Sequence, residues 1–139
     1  MRSKNDNDPR LDAEFNALTE ATKARFRARY SALPAEDRNG RGTIVYLLGR
    51  NMKSPGDWEF LRSVVAEPPC RSLADCSAPA GTGGPGDEVT LAYPALVALK
   101  RAQKELAAAG AHQDDARRVI AEGRRSPAPA ARRLVERPY

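Results

Sequence analysis

An all-α fold of stacked antiparallel helix pairs is what this chain predicts, from three observations. Apolar residues recur at steps of three and four along most of the sequence. Ala, Leu, Arg and Glu are common while aromatics make up only 6% of residues, a mixture that favours helix over sheet. No useful stretch alternates apolar and polar residues in the two-residue rhythm of a half-buried strand. At 139 residues the chain has the length of one domain and can bury a modest core without staples.

Residues 1–8 are polar and read as a disordered N-terminus. Asp8-Pro9 then reads as a cap followed by proline at the first helical position. Leu11, Phe15, Leu18, Phe26, Tyr30 and Leu33, with Thr22 filling the gap, make a helical stripe that Pro34 stops. A short helix follows Asn39-Gly40-Arg41-Gly42 and carries Ile44, Val45, Leu47 and Leu48, with Gly49 and Asn51 at its end. Ser54-Pro55-Gly56-Asp57 opens the next, with a Ser cap, proline first and an acid third. Its buried face is Trp58, Leu61, Val64 and Val65, and Pro68-Pro69 ends it.

Pro, Gly, Ser and Ala dominate residues 67–89, which predicts one long irregular loop there. A strong helix is expected over 90–109, either starting near Tyr93 or kinked by Pro94, and closed by Gly110. A shorter one over 112–122 turns Ala116, Val119 and Ile120 inward. Tyr93 reads as core beside Leu96, as Trp58 does beside Leu61. The single helical domain spans 9–123. Residues 124–139 form a basic tail in which Ser126-Pro127 can start a short terminal helix.

Of the formal charge of +5, the tail holds +4 and leaves the body nearly neutral. A nucleic-acid argument from the whole-chain charge is weaker for that reason. No apolar run approaches the roughly 18 residues of a membrane span. The first ten residues show no signal-peptide core.

Two stretches share one grammar: TIVYLLGRNMKSPGDWEFLRSVVAE over 43–67 and YPALVALKRAQKELAAAGAHQDDARRVIAE over 93–122. Each is an apolar helix, a turn, and an amphipathic helix opened by an acid. The first resembles the HEAT-like repeats of bacteria, with Leu48-Gly49 and Asp57 through Leu61 in the places of that pattern. Pro94, early in a first helix, also looks like that family. The second unit has a longer connection and lacks the Leu-Gly end. The resemblance implies a short α-solenoid that acts as a non-enzymatic protein-interaction or scaffold module. Residues 9–33 and the basic tail would cap its two ends, and exposed repeat ends would permit self-association.

Candidate sites are few. Cys70 and Cys76 are the only cysteines and stand open between free thiols and a disulfide. With one histidine in the chain they are too few for a structural zinc site. His112, near Asp114 and Asp115, reads as a surface residue at a helix start rather than a general base. The run Gly81–Gly86 lacks the Gly-Lys-Ser/Thr end of a phosphate loop, and Asn39–Thr43 reads as a helix connection. No catalytic, cofactor-binding or metal residue is expected.

Lys23, Arg25, Arg27 and Arg29 form two adjacent basic rows. With Arg132 and Arg133 of the tail they are the candidate contacts for an anion or nucleic acid, the alternative to a protein partner. The chain is expected to be cytoplasmic by default, or periplasmic or extracellular if the cysteines are oxidised and a signal peptide was removed.

Overall fold

The computed structural model describes residues 18–68 and 88–136. The described residues form seven helices and no strand. None of these helices is long and apolar enough to cross a membrane. Cys70, Cys76 and the glycine run at 81–86 lie outside the described residues, as does the start of the first predicted stripe.

Helix α1 (Glu20–Ala32) does not run up from Pro9. Thr19 is its cap, accepting the Thr22 backbone N–H on its hydroxyl, and Glu20 complements the positive helix end. Leu18 therefore stands outside the helix, yet it is buried in the core. Helix α2 (Arg38–Gly49) begins earlier than its glycines suggest. Asp37 caps it through the Gly40 N–H, so Asn39–Thr43 is first-turn helix and not a connecting loop. Asn51, fully buried, closes its far end by donating its side-chain amide to the Leu47 carbonyl.

Helix α3 (Pro55–Ala66) starts as its Ser-Pro-Gly-Asp signal predicts. Proline 94 starts a helix rather than kinking one. The chain turns at Ala92, separating the four-residue α4 (Glu88–Leu91) from α5 (Tyr93–Ala107). The Schellman turn that ends α5 puts Ala109, not Gly110, in the left-handed region at φ 52°. Helices α6 (Gln113–Arg124) and α7 (Pro129–Val135) complete the fold.

Helix α5 is the centre, packing against α2, α3, α6 and α7. Ala98, Leu99 and Ala102 are fully enclosed there, facing Leu61 and Val65 of α3 and Ala116 and Val119 of α6 in one core. The first helices of the two pairs, α2 and α5, lie side by side, and the second helices, α3 and α6, do the same. Small residues allow the close approach. A Cβ on Gly42 would run into the Tyr93 ring, and one on Gly123 would come within 2.7 Å of Leu99 and 2.9 Å of Val135.

The packed body continues past residue 123. Ala128, Ala130, Ala131 and Val135 are all buried as α7 closes over α5 and α6. Trp58 is core as expected, but Tyr93 remains 37% exposed because Gly42 holds its ring at the rim of the α2–α5 contact.

Candidate functional site

Polar side chains meet where the α2–α3 and α5–α6 turns lie together. The first cluster is built on Asp57, third residue of α3. Its Oδ2 accepts the Lys53 N–H at 2.8 Å, the Ser54 N–H at 3.1 Å and the Lys23 ammonium at 2.9 Å. Lys23 also donates to the Asn51 carbonyl at 2.9 Å and pairs with Glu20 at 3.0 Å. Asn51 accepts the Leu18 N–H. Together these contacts bind α1 to the α2–α3 turn.

The electrostatics follow from those contacts. Burial alone would depress the Lys23 ammonium, but its hydrogen bonds to Asp57 and Glu20 outweigh that and lift it above the ordinary lysine value. Burial would raise the Asp57 carboxyl, yet the Lys53 N–H, the Lys23 ammonium and the Ser54 N–H together hold it below the usual aspartate value.

At the other end of α1, the Tyr30 hydroxyl donates to Glu67 at 2.9 Å. Arg41 lies 4.7 Å over the Tyr30 ring and donates to Glu67 and to the Leu33 carbonyl. Burial, with the Glu67 charge behind it, raises the Tyr30 phenol well above its usual range. Burial also lifts Glu67, against the pull of Tyr30 and Arg41.

The second cluster surrounds Trp58. Arg101 stands 5.4 Å from the ring centre and donates to the Gly49 carbonyl and to Glu105. Glu105 is buried, and its other oxygen accepts the His112 N–H at the start of α6. The His112 ring lies 5.9 Å from that of Trp58. Trp58 Nε1 is buried without a hydrogen-bond partner. Arg101 thus ties the end of α2 to the start of α6 through one carboxylate.

His112 also borders an open depression of about 500 Å³ lined by residues 110–115, 117 and 118. Its Nδ1 is 3.6 Å from Asp115, while Arg118 and Arg117 already hold Asp115 and Asp114. Among the described residues, no hydroxyl, thiol or amine side chain lines the depression. Among the described residues no three His, Cys, Asp or Glu side chains gather as a metal site.

The basic residues singled out by sequence do not come together. Lys23 is fully enclosed, so it belongs to no exposed row. Arg27 is half-buried and 3.7 Å from Asp57, while Arg25 and Arg29 are exposed. Arg132 is exposed but donates to the Ser126 carbonyl at 2.6 Å, and Arg133 is exposed on the same helix. The Asn51, Glu105 and Arg101 roles were not read from sequence. A polar residue just beyond a predicted helix end, as Asn51 is, was the one available signal.

Across the second helices the charges are matched. Arg62 of α3 pairs with Glu59 and reaches Glu122 of α6 at 3.0 Å, and Glu122 also takes Arg125 at 3.1 Å. The Glu59 hydrogen bond raises the Arg62 guanidinium, and Arg62 in turn lowers Glu59. Such exposed pairs contribute little to stability.

No family model, curated protein or solved structure matches the chain.

Proposed function

We propose that the chain is a non-enzymatic protein-interaction or scaffold module built on HEAT-like helix pairs. One observation carries the reading: α2 packs on α5 and α3 packs on α6, with α1 against the first pair and α7 against the second. Stacking of like helix on like is how a solenoid buries faces that one pair cannot bury alone. In this reading α1 and α7 are the end caps. The polar groups described above support it too, because they join helices to one another.

The alternative, nucleic-acid binding by the α1 rows and the C-terminal arginines, loses Lys23 to the interior and part of Arg132 to Ser126. It keeps Arg25, Arg29 and Arg133 as exposed groups.

The test is affinity capture with the full chain, with deletion of 71–86, and with Arg62→Glu/Arg118→Glu on the α3–α6 face. The expected result is a partner held by the full chain and lost by at least one variant of unchanged melting temperature. The same proteins held by every variant, or none by any, would defeat the proposal.

A further inference from the structure

We draw no further inference here: the strongest candidate, the open depression at the start of α6 where the His112 ring packs on that of Trp58, belongs to the polar cluster already described, and Arg117 and Arg118 already hold Asp114 and Asp115, the acids that line it.

Discussion

The Lys23 ammonium and the Asp57 carboxylate meet at 2.9 Å inside the protein, 34 residues apart in sequence and both shielded from water. Removing either partner leaves the other buried. Asp57→Ala strands an ammonium and deletes the acid of the α3 cap, so a loss of about 3–5 kcal/mol is expected. Lys23→Met leaves Asp57 its two backbone N–H donors, and the loss should be smaller, about 1–3 kcal/mol. Urea melts of the single variants and the double variant would check this. The double variant should lose clearly less than the two singles combined.

The pH dependence of stability follows from the same groups. Asp57 has a depressed folded value, so its contribution is present above the ordinary 3.8 and disappears as pH falls through the folded value. Lys23 is raised, so its contribution is complete below 10.5 and disappears as pH climbs through the folded value. Tyr30, raised from 10.0, acts in the same direction on the alkaline side. Glu67 opposes Asp57: its folded value lies above 4.5, so its contribution is present below that value and disappears as pH rises through the folded one. Melting temperature across pH should therefore fall above about 10. Asp57→Asn should flatten the acid limb, and Glu67→Gln should steepen it.

Ala109 sits at φ 52°, a conformation that is unfavourable for a residue with a Cβ. Ala109→Gly removes a strain of about 1–2 kcal/mol and adds about 0.4–1 kcal/mol of unfolded-state entropy. A net gain of about 0.5–1 kcal/mol is expected by thermal melting.

Gly123 faces Leu99 and Val135 with no room for a side chain. Gly123→Val should cost about 1–3 kcal/mol through overpacking. Amide exchange should show faster opening of α7 than of α3, since α7 rests on that contact.

Much of the helical layout was legible because its signals are local. Ser54, Pro55 and Asp57 mark a helix start within four residues, and Leu61, Val64, Val65, Leu96, Val119 and Ile120 fall on buried faces at helical spacing. Lys23 was not legible. A lysine four residues before Arg27 reads as a solvated row, and only Asn51 and Asp57, distant in sequence, draw it inward. Tyr93 misled for a similar reason. Its place in an apolar stripe suggested core, but the absent side chain at Gly42 decides where the ring rests.

The pairing of like helices is tested most directly by proton–proton contacts in an isotope-labelled sample. The account predicts cross-peaks from the Tyr93 ring to the Gly42 α-protons, from Leu99 methyls to Val135 methyls, and from the Trp58 indole to the His112 imidazole. A well-dispersed helical spectrum in which α2 contacts neither Tyr93 nor Arg101, and Trp58 does not contact His112, would contradict it.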